Sequence, residues 1–496
     1  MEVKKRNIVI AIMVAMFLGA VEGTVVTTAM PTIVRELHGF PLMSWVFSIY
    51  LLASAVSTPI YGKLADLYGR KNTLSVGIII FLGGSILCGL SGNMVHLIIF
   101  RGLQGLGAGA IFTVTYTIIG DIFQIGERAK VQGWLGTVWG IASLAGPFLG
   151  GFLIDYLSWH WIFFINVPFG ILSLIILQRS LDEGIERKKH QIDFLGIGVL
   201  SLAIMALLIG VLWLGNSQEK NMLFAYISLI SAVILTVILY FVERIAKEPV
   251  IPLGIITRNN IVVNVISFLV SAVLIGADVY LPVYIQNVLG HKATLSGLAM
   301  APMSISWLMA SVLLAKAIPR YGERLVTEFS TFIILVSCLL LPVLGLHSSL
   351  LMVVIFVFIM GIGFGGSFTT LTIVVQESVG YRQRGAATAF NSLIRTLGQT
   401  IGVSIFGTVF NLKIVQYFDH LGIRDIDPAN LYTQANTRTG TNLDMVKEAL
   451  NFSLHQVFFA LIVLSVLSLI FSFSLSSRLR ETKLTSLEQM TRGRGC

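Results

Sequence analysis

Two carboxylates stand inside long apolar stretches of this sequence. Glu22 is the only charged residue between Ile8 and Ala29, and Asp278 lies within the sequence VLIGADVYLPVY. An ionised carboxylate near the middle of a membrane-spanning helix costs about 2.5–3.5 kcal/mol on insertion scales, so its presence there calls for an explanation. A partly desolvated carboxylate can take up and release protons near neutral pH, and it also attracts cations. We therefore predict that a proton and a cationic ligand compete for these two acids.

A third ionisable residue, Arg101, lies in the apolar sequence LIIFRGLQGLGAGA. An arginine within a membrane helix must face a cavity or a counter-charge, which favours a functional role. Alternatively, its side chain could extend to the outer end of the helix, about one and a half turns away. Glu22 and Asp278 could likewise be structural, either neutralised by an arginine or held protonated by backbone acceptors. We favour function for all three residues, and either acid could carry the proton.

A polar stripe and a set of aromatic residues could complete a binding site. The spacing of Asn391, Arg395 and Gln399 places them on one face of a helix. That face could contact a ligand or neutralise an acid, or it could hydrogen-bond to a neighbouring helix. Aromatic side chains could form an apolar wall and cation–π contacts, although each alone is more typical of packing or of a membrane interface. The aromatic candidates are Trp45, Tyr50, Trp139, Tyr280 and Tyr284.

The composition is that of a protein with many membrane spans. Of the 496 residues, 55% are hydrophobic and 12% are charged, and the mean hydropathy is +0.85. A soluble protein of this length would have about a quarter of its residues charged. The net charge of +9 arises because Lys and Arg concentrate in alternate connections between the apolar segments. This positive-inside pattern predicts that both termini are cytoplasmic, and it argues against nucleic acid as a partner.

Fourteen apolar segments of about 20 residues could each cross the bilayer. Charged stretches at 179–193 and 243–260 divide them into groups of six, two and six. Two bundles that face each other around a central cavity are usual in secondary transporters. The predicted spans are 7–29, 42–61, 73–91, 95–118, 132–154, 162–178, 194–214, 222–242, 260–285, 295–315, 327–346, 350–374, 386–410 and 455–477.

These segments predict an all-α polytopic membrane protein with two six-helix bundles and two inserted helices. If the seventh and eighth spans are an insertion, the ninth span repeats the first. Glu22 and Asp278 are then expected at comparable depths beside the central cavity. The predicted regions are a first bundle at 1–178, linkers with the inserted helices at 179–259, a second bundle at 260–477 that includes an external loop at 411–453, and a cytoplasmic tail at 478–496.

The residue types argue against an enzyme. The three cysteines are scattered, the eight histidines lie in loops or near helix ends, and the sequence has no Gly-x-x-x-x-Gly-Lys-[ST] loop. A membrane enzyme would need clustered nucleophiles, bases or metal ligands, and a sensor would usually carry a soluble output domain. We therefore expect no metal, no cofactor and no nucleotide.

The connection between the second and third spans resembles a known signature. It reads GKLADLYGRK at 62–71 and is similar to the loop motif of the major facilitator superfamily. The resemblance implies that Asp66 caps a helix of the opposite bundle and pairs with Arg70, which latches the outward-facing state. It also makes Asp121, in IIGDIF, a candidate partner of Arg70. The matching residues are Gly62, Leu64, Ala65, Asp66, Gly69, Arg70 and Lys71.

Two more motifs resemble that superfamily. Arg101, with Gln104 and Gly105, is similar to its fourth-helix motif, which implies a role for Arg101 in proton coupling. The order Gly146-Pro147-x-x-Gly150-Gly151 resembles its antiporter signature, which implies exchange rather than symport or uniport. The segments VEGTVVTTAMP, WHWIFFINVPFG, EPVIPL and YLPVYIQNVLG resemble the fourteen-span drug:proton antiporter subfamily, in which many members have aspartate in place of glutamate in the first of these segments.

The residues and the resemblance together predict a multidrug efflux antiporter of the bacterial inner membrane that works as a monomer. External protons would displace lipophilic, mainly cationic drugs, such as quaternary ammonium compounds, dyes and antibiotics, by alternating access. An exporter of an endogenous metabolite, peptide or lipid precursor is the alternative. A membrane-embedded enzyme or sensor is the more remote one.

Overall fold

The structure, a computed structural model, describes residues 3–122, 125–181, 193–214, 219–246, 249, 251, 253–379, 384–423 and 443–475. All regular secondary structure in these ranges is helical. The helices are α1 (Val3–Glu36), α2 (Met43–Tyr68), α3 (Arg70–Gly89), α4 (Met94–Ile122), α5 (Ile125–Tyr156), α6 (Trp161–Phe164), α7 (Asn166–Ser180), α8 (Phe194–Leu214), α9 (Glu219–Ile245), α10 (Arg258–Val283), α11 (Ala293–Tyr321), α12 (Glu323–Leu340), α13 (Leu350–Glu377), α14 (Arg384–His420) and α15 (Leu443–Ser472). Short 3₁₀ turns lie at Phe40–Leu42, Leu253–Ile255 and Leu341–Val343, and a π-helical turn at Tyr284–Val288 follows α10.

Twelve stretches among the described helices are long and apolar enough to cross a membrane. One of them joins α6 and α7, and the others are α1 to α4 and α9 to α15. The two remaining predicted spans coincide with α5 and α8, and in α8 only Leu195–Val211 qualifies as a shorter apolar helix. The structure therefore supports twelve of the fourteen predicted spans, and the total of fourteen stays a prediction.

Single glycines make two equivalent turns. Gly69 separates α2 from α3 with φ +88°, and Gly322 separates α11 from α12 with φ +87°. Residues with a Cβ atom rarely adopt positive φ, whereas glycine does so without strain. Each glycine therefore lets two apolar helices follow one another with no intervening loop.

The helices pack as two groups with matching internal contacts. In the first bundle, α1 to α7, the second and third helices both pack against α4, and α1 packs against α5 and α7. In the second bundle, α10 to α15, α11 and α12 pack against α13, and α10 packs against α14 and α15. The bundles meet where α5 contacts α11 and where α2 contacts α14. The hairpin of α8 and α9 packs against α2 and α14.

The side of the molecule that holds the C-terminal ends of α1 and α10 is called the distal side below. There the two bundles share hydrogen bonds. Gln286 donates to the carbonyl oxygen of Thr28 (2.9 Å), and Arg35 donates to Asn287 Oδ1 (2.8 Å). The backbone N–H of Thr294 donates to Asp155 (2.9 Å). The distal side of the interface is therefore closed in this conformation.

Helices extend into both ends of the predicted loop at 411–453. The last helical residue of α14 is His420, and α15 begins at Leu443. The extension of α14 buries Ile414 and Phe418, and this apolar face explains why the helix continues. Residues 424–442 lie outside the described part of the chain.

Candidate functional site

Glu22 and Arg101 form an ion pair inside the first bundle. Oε1 of Glu22, on α1, is 2.5 Å from Nη1 of Arg101, on α4. Each residue is about 1% exposed. Breaking a buried ion pair leaves an uncompensated charge, so each residue makes the other tolerable in the membrane interior. Arg101 therefore faces a counter-charge, as its position in the sequence requires, and does not extend to the helix end.

Two further residues form hydrogen bonds with the carboxylate and guanidinium groups of this pair. Asn166, the first residue of α7, donates from Nδ2 to Glu22 Oε2 (2.7 Å). Gln104 accepts a hydrogen bond from Arg101 Nη1 (2.8 Å). Both amides also donate to the hydroxyl of Ser85 on α3, at 2.8 Å from Asn166 and 3.1 Å from Gln104. All these residues are buried.

Arg101 also contacts α2. Its Nε donates to the carbonyl oxygen of Val46 (3.4 Å), and its guanidinium carbon lies 4.1 Å from the centre of the Tyr50 ring. Stacking on an aromatic face stabilises a desolvated guanidinium by about 0.5–2 kcal/mol. Four helices of the first bundle other than α1 thus contribute to one closed polar cluster, which we call the Glu22 cluster: Glu22, Tyr50, Ser85, Arg101, Gln104 and Asn166.

Asp278 has a different environment. It lies on α10 and is half-buried. Within the part of the chain that the structure describes, no hydrogen bond or ion pair reaches its carboxylate. Pro282 follows four residues later in the same helix and has no N–H, so the carbonyl oxygen of Asp278 also lacks its helical donor. This turn of α10 therefore presents hydrogen-bond acceptors that can receive a proton or a cation.

The positions of Glu22 and Asp278 in the two repeated bundles can be compared at the points where equivalent helices cross. A Cβ atom on Gly150 would meet the backbone of Val25 at 3.0 Å, where α5 crosses α1. A Cβ atom on Gly402 would meet the backbone of Ala272 at 3.0 Å, where α14 crosses α10. Both glycines belong to Gly-x-x-x-Gly sequences on the fifth helix of their bundle. Val25 and Ala272 are therefore equivalent positions in the two bundles.

From these crossings, Glu22 is equivalent to Leu269, since each precedes its crossing residue by three positions. Asp278 lies nine residues further along α10. The two acids are therefore not at the repeated position. Across the interface, Gln286, eight residues after Asp278, bonds to Thr28, six residues after Glu22, so comparable depth for the two acids stays a prediction that this contact favours.

The polar stripe of α14 contacts neighbouring helices of the second bundle. Asn391 is buried and donates to Asn264 Oδ1 and Ser267 Oγ of α10, both at 2.9 Å. Arg395 donates to Thr372 Oγ1 of α13 (2.8 Å), and its guanidinium lies 4.8 Å from the ring centre of Phe368. Gln399, further along α14, is half-buried. In this conformation Asn391 and Arg395 hold helices together, the second of the two alternatives considered above.

Most of the aromatic candidates contact other parts of the protein, and the side chain of one of them is not described. Tyr280 is fully buried and packs against Phe406 and Phe410 of α14. Tyr284 donates to the carbonyl oxygen of Gly345 (2.6 Å). Trp45 packs edge-on against Trp213 of α8. The side chain of Trp139 lies outside the described residues.

The motif glycines pack closely against other helices. Gly146 contacts α1 at Thr24, and a Cβ atom on Gly151 would collide with the backbone of Ala293 and Thr294 at the start of α11. The antiporter-like motif therefore lies where α5 meets both α1 and the second bundle. The side chain of Pro147 lies outside the described residues.

The latch residues are described only in part. Gly62 lies near the end of α2, Gly69 forms the turn into α3, and Arg70 Nη1 lies 3.5 Å from the carbonyl oxygen of Ala65. The side chains of Asp66 and Asp121 lie outside the described residues, so the predicted pairing with Arg70 stays a prediction.

Comparison with known proteins identifies the protein family to which this chain belongs. The model of the Major Facilitator Superfamily matches residues 12–403, so the chain belongs to this superfamily and is a transporter rather than an enzyme. It is 32% identical to the multidrug transporter protein MdtP of Bacillus subtilis, covering 95% of this chain and 93% of that protein. It is 33% identical to multidrug resistance protein 3 of the same organism, covering 93% of each.

The fold also matches a solved transporter structure. The crystal structure of a bacterial homologue of the human lysosomal transporter Spinster, inward-facing and occupied, has a TM-score of 0.68 and 16% identity, covering 96% of this chain and 97% of the other. The likeness confirms the fold of a major facilitator protein.

Sequence reasoning missed Ser85 and Asn166. Both residue types are common in membrane helices, where they often bond to the backbone. The available signal was that Asn166 begins a helix within the apolar sequence WHWIFFINVPFG, next to the short break at Ile165.

Proposed function

We propose that this protein is a proton-driven multidrug antiporter that exports lipophilic cations by alternating access. The names of its relatives support a multidrug substrate range. The observation that carries the proposal is Asp278, a half-buried carboxylate for which the described part of the chain provides no cation or hydrogen-bond donor.

An ionised carboxylate in a membrane interior is stable only if something compensates its charge. A proton and a cationic drug can each do so at Asp278, and neither can bind while the other occupies the carboxylate. Mutually exclusive binding gives exchange if the transporter changes conformation only when a proton or a drug neutralises the carboxylate, because the empty site then cannot return. Asp278 is therefore assigned to binding both the drug and the exchanged proton.

Glu22 has the second role. Its charge is already neutralised by Arg101, so a drug would have to displace a buried guanidinium to bind there. A proton on Glu22 would instead release Arg101 from its partner and change the contacts among α1, α4 and α7. Glu22 and Arg101 are therefore assigned to coupling the protonation state to the conformation of the first bundle.

The remaining assignments follow from the motifs. Both termini are cytoplasmic in the inner membrane, which makes the distal side external and the described conformation closed to the outside. The loop with Gly62, Asp66, Gly69 and Arg70, together with Asp121, latches the opposite, outward-facing state. Tyr280, Tyr284, Trp139 and Gln399 are candidates for contact with drug once the bundles rearrange. The monomer is the working unit.

The test uses purified protein in liposomes that contain a pH-sensitive dye. A monocationic and a dicationic fluorescent drug are added with and without an imposed proton gradient. We expect drug-provoked proton flux in the wild type and at least about a tenfold loss of drug binding and flux in Asp278→Asn. In Glu22→Gln we expect drug binding and its dependence on pH, which arises at Asp278, to persist while the drug-provoked proton flux is lost.

The matched control is Asp444→Asn, which removes an exposed carboxylate from the first turn of α15. Coupled flux that survives in both Asp278→Asn and Glu22→Gln would mean that both acids are structural and would overturn the assignment. A wild type without any drug-linked proton flux would favour export of an endogenous metabolite.

A further inference from the structure

The hydroxyl of Ser85 stands at the centre of the Glu22 cluster. Its own proton is committed to the carbonyl oxygen of Phe163, at 2.9 Å. The Ser85 oxygen can therefore only accept hydrogen bonds from the two amides beside it, Asn166 (2.8 Å) and Gln104 (3.1 Å). All four groups are buried, so water does not provide an alternative partner.

This arrangement fixes which end of each amide faces the ion pair. Because Gln104 turns its NH₂ group to Ser85, its carbonyl oxygen faces the guanidinium of Arg101 (2.8 Å). Asn166 uses one N–H for Ser85, which leaves the second N–H of the same nitrogen for Glu22 (2.7 Å). The amide oxygen thus meets the cation, and the amide N–H meets the anion.

A carboxylate that accepts an N–H hydrogen bond is stabilised in its ionised form. The orientation of Asn166 therefore opposes protonation of Glu22, and Ser85 maintains that orientation from a third helix. The other titratable or charged groups that face Glu22 are Arg101 of α4, Tyr50 of α2 and Cys88 of α3. None of these can replace the lost donor of Asn166, because Arg101 is already bonded to Glu22 and the other two have no contact with its carboxylate in the described hydrogen bonds.

We propose that Ser85 and Asn166 are positioning residues that orient the Glu22–Arg101 pair and set the pH at which Glu22 takes up its proton. Ser85 acts through the amides and does not touch Glu22. The proposal rests on the assignment of Glu22 to proton coupling, and it adds the residues that tune that site. It also explains why α3 and α7, which carry no membrane-embedded charge in the described residues, contribute to the cluster.

The test measures the protonation of Glu22 directly and then the transport. In the purified protein, the infrared band of a protonated carboxyl group is titrated with pH, and the part absent from Glu22→Gln is assigned to Glu22. Transport is measured as drug-provoked proton flux in liposomes over the same pH range. The variants are Ser85→Ala, Asn166→Leu and Asn166→Asp, which retains the shape of the side chain but replaces the N–H donor with a second carboxyl group. The infrared band of that added group is subtracted with the double variant Glu22→Gln/Asn166→Asp.

Losing the N–H donor of Asn166 favours the protonated form of Glu22. The midpoints of the infrared titration and of the proton flux should therefore both move to higher pH. We expect a shift of about one pH unit in Asn166→Leu, a larger one in Asn166→Asp and about half a unit in Ser85→Ala. The double variant Ser85→Ala/Asn166→Leu should shift by less than the sum, because Ser85 acts partly through Asn166.

The matched control is Ser173→Ala. Ser173 is also buried between α1 and α7 and donates to the carbonyl oxygen of Ala11 (2.9 Å), but it does not contact the Glu22 cluster. This variant loses a comparable hydrogen bond and should keep both wild-type midpoints. If Asn166→Leu fails to fold, Asn166→Asp and Ser85→Ala carry the same test.

Infrared midpoints of Ser85→Ala and Asn166→Asp that coincide with the wild type would overturn the proposal. A shifted infrared midpoint without drug-linked proton flux in any variant, including the wild type, would support the positioning role and contradict the proposed antiport. Failure of the positioning role of Ser85 and Asn166 can therefore be distinguished from failure of the proposed antiport.

Discussion

Removing Arg101 would leave Glu22 as an uncompensated charge inside the first bundle. We expect Arg101→Met to lower the free energy of unfolding by about 3–5 kcal/mol, as is usual when one partner of a buried ion pair is lost. The double variant Glu22→Gln/Arg101→Met should recover most of this loss, since neither charge remains. Thermal unfolding of the purified variants in one detergent measures the effect.

The partly exposed pair of Arg324 and Glu328 on α12 is a control for this prediction. The two side chains are 2.6 Å apart, and Arg324 is 42% exposed. We expect Glu328→Gln to change the stability by at most about 1 kcal/mol, because solvent screens the pair. A double variant as unstable as Arg101→Met would show that the guanidinium acts through its other contacts, with Val46 and Tyr50, rather than through Glu22.

At the residue scale, the sequence predicted the need for charge compensation but not the partner. Arg101 had to face a cavity or a counter-charge, and Glu22 had to be neutralised or protonated. The two residues are 79 positions apart, and no periodicity links residues on different helices. Ser85 left no signal, and Asn166 left only the weak one of its position at a helix start, because a buried hydroxyl or amide has no charge that would distinguish it in an apolar segment.

At the scale of the elements, close contacts between helices position Arg101. A Cβ atom on Gly105 would collide with the carbonyl oxygen of Tyr50, so α4 can approach α2 only because this residue is glycine. We expect Gly105→Val to separate the two helices and to remove the contacts of Arg101 with Val46 and Tyr50. Stability should fall by about 1–3 kcal/mol, as for other overpacked sites, and drug-linked proton flux should be lost.

Gly83 on α3 is the matched control for this packing prediction. A Cβ atom added there would meet nothing within 4 Å. Gly83→Ala should therefore leave transport intact and leave stability unchanged or raise it by up to about 1 kcal/mol, because alanine is the better helix former. If Gly105→Val retained normal stability and flux, close approach of α2 and α4 would not be what positions Arg101.

The sequence predicted most of the helices but not the relation between the repeats. Apolar length located the spans, and Gly69, inside the charged motif at 62–71, ends α2. The residue equivalent to Glu22 in the second bundle is Leu269 and not Asp278, because the number of residues before an acid does not fix its equivalent position once the bundles begin and bend differently. The crossing of α14 over α10 at Gly402 identifies that position, and it requires the packed structure.

At the scale of the whole molecule, the described conformation is closed on the distal side by polar contacts between the bundles. Arg35 at the end of α1 and Asn287 in the π-helical turn are joined by a hydrogen bond of 2.8 Å. Gln286, in the same turn, reaches the carbonyl oxygen of Thr28. A π-helical turn rotates the residues that follow it relative to an ideal α-helix, and such turns are frequent at functional sites. Here it directs two neighbouring amide side chains across the interface.

These contacts exist only while the distal side is closed, so removing them should favour the state that is open there. We expect Arg35→Ala and Gln286→Ala each to raise the ratio of open to closed molecules by about two- to tenfold, because a net hydrogen bond contributes about 0.5–1.5 kcal/mol. Spin labels at positions 37 and 289, on opposite sides of the contact, would report the change as a population with a longer distance in double electron–electron resonance. Cys88 and Cys338 are buried, so only Cys496 needs replacement before labelling.

Lys413→Ala is the control, since Lys413 bonds to Gln416 within α14 and does not cross the interface. Its distance distribution should match that of the wild type. In the proposed antiport, opening of the distal side is also the step that lets external protons reach Asp278. If that proposal holds, the two gate variants should exchange drug for protons with a raised apparent affinity for external protons. Unchanged distance distributions in both variants would mean that packing between α5 and α11, and not the hydrogen bonds of the π-helical turn, holds the distal side closed.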